Sequence, residues 1–371
     1  MPVPIDGAHL TRIARRPFLR RAGLLGLTLL GGPTTLAACG GGVSTAPPQA
    51  AQATTPRASA ASAATPAGPA TGVRMACWSQ PLSEQANIYA AQEFGWFTEQ
   101  RLDFTFVPGA GGGDAIKNLL AGNADIAFAN LEPLLFAIQE GAKLRAVYNI
   151  YPQNVFNVVS LTKTGVGAIA DLKGKRVGVY SQASGTRYNL LVMLRSAGLK
   201  ESDVEVVATG VANFGPLGEG KVAATAATDT GLYGARQAGL GAVNVRWARD
   251  VLNTPSDIFV VTEETYQRRR DLLARFLQAY RRGSRWMLDS PDQAAEVAAK
   301  YATDGKDIAR NRAIIELRNA STVSVDTTAN GLGHFDLDLL RTVDATFQEL
   351  GITRQRFDIA AIFTNEFLAE L

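Results

Sequence analysis

The stretch GGGDAIKNLLAGNADIAFAN, Gly111 to Asn130, decides the fold. A glycine run opens an amphipathic helix that ends near Gly122, and Asp125–Ala129 follows as a short apolar strand. Leu102–Val107, just upstream, alternates as a strand does, so the segment from 102 to 129 is a strand–helix–strand unit. Working outward, Met75–Trp78 has the composition of a buried strand. Ala86–Gln100 carries Ile88, Ala91, Phe94 and Phe97 at helical spacing. Leu131–Glu140 reads as a helix and Lys143–Ile150 as another strand. Strands alternating with helices at this spacing predict an α/β fold with parallel-rich sheets covered on both faces.

The same pattern restarts after Asn154. Val155–Leu161, Arg176–Tyr180, Val204–Ala208, Val222–Ala227, Val243–Trp247 and Ile258–Val261 read as strands, and a helix follows Ser184-Gly185-Thr186. Beyond Val261 the periodicity is almost wholly helical: Tyr266–Asp289, Pro291–Tyr301, Asp307–Asn319, Phe335–Leu350 and Ala360–Leu371. The expectation is two lobes, residues 73–153 and 154–254, with 255–371 returning to the first lobe as a C-terminal helical tail. Two crossings, near Tyr151–Val155 and Asn253–Ile258, would leave a cleft between the lobes.

The first 72 residues have a different character. Arg15-Arg16-Pro17-Phe18-Leu19-Arg20-Arg21, an apolar run Ala22–Leu30 and Leu36-Ala37-Ala38-Cys39 form a charged start, a short greasy middle and a small-residue cleavage site. The paired arginines resemble a twin-arginine export signal. The Leu-Ala-Ala-Cys ending resembles a bacterial lipobox, which implies removal of residues 1–38 and lipidation of Cys39. A transmembrane anchor fits less well, because Ala22–Ala38 is interrupted by Gly31, Gly32 and Pro33, and a span needs about 20 apolar residues. Residues 40–72, mostly Gly, Ala, Ser, Thr, Pro and Gln, read as a flexible tether. The chain is therefore expected to work as a monomer on the outer face of the cell membrane, held there by lipid.

Composition narrows the function. The chain has 37 Lys+Arg and 34 Asp+Glu, a net charge of +3. Residues 1–38 hold five arginines and one aspartate, so the rest carries 32 against 33, or −1. Nucleic acid is not an expected partner. Beyond His9 in the leader, His334 is the only histidine, and Cys77 is the only cysteine other than Cys39. That inventory predicts no metal site, no histidine-based catalytic triad and no cofactor.

The order of motifs resembles the substrate-binding proteins of ABC importers, in the branch with taurine/alkanesulfonate binders and thiamin-pyrimidine-precursor binders. The resemblance rests on a first strand ending in Trp78, then YAAQEFGWFTEQRLDF (89–104), then the stretch quoted at the outset. IADLKGKRVGV (169–179) and VVTEETYQRR (260–269) complete it. It spans about residues 73–365. It implies a type II periplasmic-binding fold, a ligand held between the lobes, and permease and ATPase subunits as partners. The same fold serves fungal enzymes that make the thiamin pyrimidine, but these use histidine, lysine and a cysteine-rich motif, whereas this chain keeps one histidine beyond the leader and shows no such motif.

For the ligand, the sequence offers loops and rings. Gly109–Gly113 precedes a helix but lacks the ending of a phosphate loop, so a tight turn and a ligand contact both remain open. Ser184, Thr186, Arg187 and Tyr188 follow a strand at a helix start, where open α/β sheets bind ligands. Trp78, Tyr89, Tyr148, Tyr151, Tyr188, Phe214, Tyr233 and Trp247 lie at or near strand ends and helix starts. Singly each is a core aromatic; together they point to a flat ligand held by stacking. Asn154, Asn189 and Asp229 are candidate readers of heterocycle N–H and C=O groups. A sulfonate would call for converging cations, and only Arg187 and Arg249 are on offer. The expected ligand is riboflavin or a thiamin pyrimidine precursor, with a sulfonate as the alternative. The arginines at 268–270 and 281–282 lie on a helix, where a solvated face is the ordinary meaning.

Overall fold

The computed structural model describes residues 69–210 and 214–370. The expected export leader, Cys39 and most of the expected tether lie outside these residues. Among the described residues ten strands form two five-stranded sheets. In the first lobe they are β1 (Thr71–Cys77), β2 (Leu102–Val107), β3 (Ile126–Asn130), β4 (Leu144–Tyr151) and β10 (Asp257–Thr262), in the order β2-β1-β3-β10-β4. In the second they are β5 (Phe156–Leu161), β6 (Arg176–Val179), β7 (Glu205–Ala208), β8 (Ala224–Thr228) and β9 (Val243–Trp247), in the order β7-β6-β8-β5-β9.

Both sheets are mixed. β1 pairs in parallel with β2 and β3, whereas β10 is antiparallel to β3 and β4. β6 pairs in parallel with β7 and β8, whereas β5 is antiparallel to β8 and β9. The odd strands are those the chain uses to enter a lobe from the cleft. A strand entering at the end where its neighbours finish must run against them. Consequently the carboxyl ends of β1, β3, β6 and β8 all face the gap between the sheets, where open α/β sheets bind ligands.

The helical tail packs back on the first lobe. Helix Arg270–Asp289 lays Leu273, Phe276, Leu277 and Tyr280 against the sheet, beside Tyr148, Phe128 and Phe259. The single helix expected over 266–289 is two, Glu263–Arg268 and Arg270–Asp289, parted at Arg269. Arg269 leaves helical geometry there and lies 2.5 Å from Asp125 in an ion pair. The expected last helix is a single turn, Ile359–Ile362, followed by a 3₁₀ segment. A short helix at Val325–Asn330, capped by Ser324, has too few residues to show a period in the sequence. Arg268, Arg270 and Arg282 form exposed ion pairs with Glu264, Glu366 and Glu99, in keeping with a solvated face, whereas Arg281 is buried, contrary to that expectation. No helix among the described residues is long and apolar enough to cross a membrane.

Candidate functional site

A cavity of about 350 Å³ lies between the two sheets, within the usual range for small-molecule sites. Its walls come from strand ends. Trp78 follows β1, Asn130 closes β3, Tyr180 follows β6, Thr228 ends β8 and Asp257 begins β10. Val155 and Phe156 line it from the first crossing, and Ser184, Gly185 and Thr186 from the start of helix Gly185–Ser196. The tail adds Arg310, Ile314 and Arg318 from helix Ile308–Thr322. Their spacing of four places all three on one helical face.

Part of the lining is polar and charged. Arg318 is almost fully buried, with Nε donating to Glu84 Oε2 at 3.0 Å and Nη2 to Thr230 Oγ1 at 2.9 Å. Its Nη1 lies 2.8 Å from Asp229 Oδ1 as an ion pair, off hydrogen-bond geometry. Burial works against the Arg318 charge, but Asp229 and Glu84 outweigh it and hold the guanidinium ionised. Arg310 pairs with Asp304 at 3.0 Å. Asp257 accepts from Asn130 Nδ2 at 2.8 Å. Burial pushes its carboxyl well above the usual range, nearby Glu84, Glu132 and Asp229 push the same way, and Arg318 works against them. Both arginines of the lining are thus already matched by carboxylates. The rest of the lining is largely apolar and includes Trp78, Leu82, Val155, Phe156, Tyr180 and Ile314, the last lying between the two arginines on its helix.

The lobes touch on both sides of this cavity. On one side Gly113 N–H donates to the Ala183 carbonyl at 3.0 Å, and Ser181 Oγ donates to the Ala110 carbonyl at 2.6 Å. On the other, Arg318 and Glu84 of the first lobe meet Asp229 and Thr230 of the second. Glycine is required at the first contact. A Cβ on Gly112 would clash with the Asn130 side chain, and one on Gly185 would come within 2.8 Å of the same amide. The glycines of both loops therefore close around Asn130.

Of the residues expected from sequence, Trp78, Ser184 and Thr186 line the cavity, as do Gly111 and Gly112 of the glycine run. Ser184 caps its helix while lining the cavity, and Thr186 Oγ1 accepts the Tyr180 N–H at 3.0 Å. Asp229 reaches the site through Arg318. Tyr151 lies behind the lining: it is buried, and the Arg318 guanidinium sits 5.3 Å from its ring centre. Asn154 and Asn189 are buried at the crossings, where Asn154 Nδ2 donates to Asn189 Oδ1 at 2.8 Å and to Thr254 Oγ1 at 3.0 Å.

The remaining candidates lie elsewhere. Tyr89 is in the first-lobe core, donating its hydroxyl to the Leu82 carbonyl and stacking on Tyr301. Tyr148 is buried against Tyr280 and Phe259. Arg187 is drawn away by a salt bridge to Glu201 at 2.8 Å, and Tyr188 packs edge-on against Phe136. Trp247 lies under the Arg249 guanidinium and packs, with Phe214, against the small second-lobe cluster around Val159 and Leu232. Tyr233 is half-buried on helix Asp229–Gln237, outside the lining. Tertiary packing explains the difference, because strand-end aromatics reach the cleft only if their side chains point between the lobes.

Sequence reading missed Glu84, Asn130, Tyr180, Asp257, Arg310 and Arg318. The i, i+4, i+8 spacing of Arg310, Ile314 and Arg318 was visible, but nothing local said that this tail helix returns to the cleft. Cys77 is buried, and burial pushes its thiol up to about 12, which removes it as a nucleophile. Among the described residues no cluster of His, Cys, Asp and Glu could hold a metal ion.

Comparisons with known proteins agree with this architecture. The family described as NMT1/THI5 like matches residues 83–294. Riboflavin-binding protein RibY of Chloroflexus aurantiacus is 25% identical over 248 residues, 66% of this chain and 70% of that protein. A putative thiamine biosynthesis protein of Haemophilus influenzae is 35% identical over 125 residues, 33% of this chain and 39% of its own length. The solved alkanesulfonate-binding protein SsuA of Xanthomonas axonopodis pv. citri, bound to MOPS, superimposes with a TM-score of 0.59 at 17% identity. That match covers 80% of this chain and 99% of the other, and it is a likeness of fold.

Proposed function

Since the chain belongs to the NMT1/THI5-like family, we propose that it is the substrate-binding component of an ABC importer, capturing a flat, uncharged heteroaromatic molecule between its lobes. Riboflavin is the first choice and a thiamin pyrimidine precursor the second. The observation that carries this reading is the charge balance of the cavity. Arg310 and Arg318 are each engaged by carboxylates, so a sulfonate would find no spare cation. Arg187 and Arg249, the cations available to a sulfonate on sequence grounds, lie away from the lining. Trp78, Phe156 and Tyr180 supply ring surface in the lining, suited to a planar ring system. The similarity to RibY supports the same choice.

Titration calorimetry or tryptophan fluorescence with riboflavin, an aminopyrimidine precursor and taurine tests the ligand. Saturable binding of riboflavin without binding of taurine is expected; the reverse would overturn the proposal. The protein works, in this reading, as a lipid-anchored monomer outside the cytoplasm, delivering its ligand to permease and ATPase subunits. Cys39→Ser should move it from the membrane fraction to the soluble fraction, and unchanged membrane retention would sink the lipid anchor.

A further inference from the structure

We propose that Arg318 is the closure sensor of the cleft: one guanidinium reads an uncharged acceptor on the ligand and clasps the second lobe. The proposal rests on the reading of the cavity as the ligand site. Arg318 stands on a first-lobe helix and is 1% exposed. Its Nε is fixed within its own lobe by Glu84, while Nη2 and the ion pair of Nη1 reach Thr230 and Asp229 of the other lobe. Thr230 completes the clasp by donating to Glu84 Oε2 at 3.1 Å. The Tyr151 ring, at the end of β4, backs the guanidinium and limits its movement.

Two buried donors of cavity-lining residues lack a well-aligned hydrogen bond: Trp78 Nε1 has no partner, and Arg318 Nη1 has only the ion pair with Asp229 at 2.8 Å. Buried donors without well-aligned partners are costly, so a ligand presenting acceptors to them is favoured. Because Glu84 and Asp229 already neutralise Arg318, the matching acceptor is a carbonyl oxygen or ring nitrogen and not an anion. An acceptor at Nη1 holds the guanidinium where it also meets Asp229, which makes the ligand bind the closed form better than the open one. Such differential affinity is what shifts a conformational equilibrium.

The test uses Asp229→Asn in the full chain, which weakens the clasp and leaves Arg318 paired with Glu84. Arg318→Met serves as a second variant, but it strands a buried Glu84 and risks unfolding. Closure is read on the opposite side of the cleft, by amide exchange at Gly113, whose N–H donates to Ala183. In ligand-free protein, Asp229→Asn should speed Gly113 exchange about tenfold; exchange at the wild-type rate would overturn the clasp. Riboflavin should slow Gly113 exchange in the wild type and dissociate about tenfold faster from the variant. Equal slowing and equal dissociation rates in both proteins would overturn the coupling. If riboflavin does not bind the wild type, the ligand reading fails, while ligand-free exchange still decides whether Arg318 and Asp229 clasp the lobes.

Discussion

The two lobes share one construction and differ in what fills them. The first buries a continuous network of rings: Phe97 stacks on Phe104 at 4.4 Å, Phe259 meets Tyr280 at 4.6 Å, and Tyr148 meets Tyr280 at 5.4 Å. The main core of the second is aliphatic, built from Val158, Val177, Val179, Leu190, Met193 and Leu194 with Phe156 as its ring. The cause is the helical tail. Helix Arg270–Asp289 covers the first sheet with large side chains, and no such layer among the described residues covers the second. Aromatic density along this chain therefore marks the heavier core. The rings available to a ligand are those few at strand ends facing the other lobe.

Core truncations test this contrast most severely. Phe259→Ala should cost about 3–5 kcal/mol, the usual range for a buried ring, and Leu194→Ala in the second lobe about 2 kcal/mol. Urea unfolding measures both, and a larger loss at Leu194 would break the comparison.

Next in size is a pH effect at Glu132, which belongs to the first lobe and accepts from Asn189 of the second at 2.9 Å. Burial raises its carboxyl to about 7 from a reference near 4.5, against the lowering effect of its hydrogen bonds. Between those values the folded state binds the extra proton, so stability should fall as pH rises from about 4.5 to about 7 and level off above. The full cost is on the order of 3 kcal/mol at about 1.4 kcal/mol per unit. Glu132→Gln keeps the acceptor and should flatten that part of a melting-temperature profile; an unchanged slope would assign it to other groups.

Ligand-side effects are smaller and separate cleft rings from core rings. Trp78→Leu should weaken riboflavin binding about tenfold, or about 1.4 kcal/mol, with little change in unfolding. Tyr188→Leu should leave riboflavin affinity within about twofold, because its ring packs on Phe136 outside the lining. An affinity loss at Tyr188 matching that at Trp78 would return it to the binding set.

Much of the fold was legible because strand and helix periods are local. Leu102–Val107, Val243–Trp247 and Pro291–Tyr301 have the bounds their patterns predict. The site was less legible. Trp78, Ser184 and Thr186 lie at junctions of strand and helix, where backbone geometry alone aims them at the cleft. Tyr89 and Tyr148 have equally suitable local sequence, yet face the tail helices. Arg318 sits more than 230 residues from its partner Glu84 in the chain, and no short-range pattern connects them.

The sequence by itself determined two α/β units, the strand ends that border a cleft, and a change of composition ahead of residue 73. These follow from periodicity, glycine placement and composition, which act over a few residues. Only the tertiary structure decided the mixed sheets, the return of helix Ile308–Thr322 to the cavity, and the pairing of every lining arginine with a carboxylate. Those features depend on contacts between distant segments. The energy of a buried charge is set by whatever the fold brings beside it.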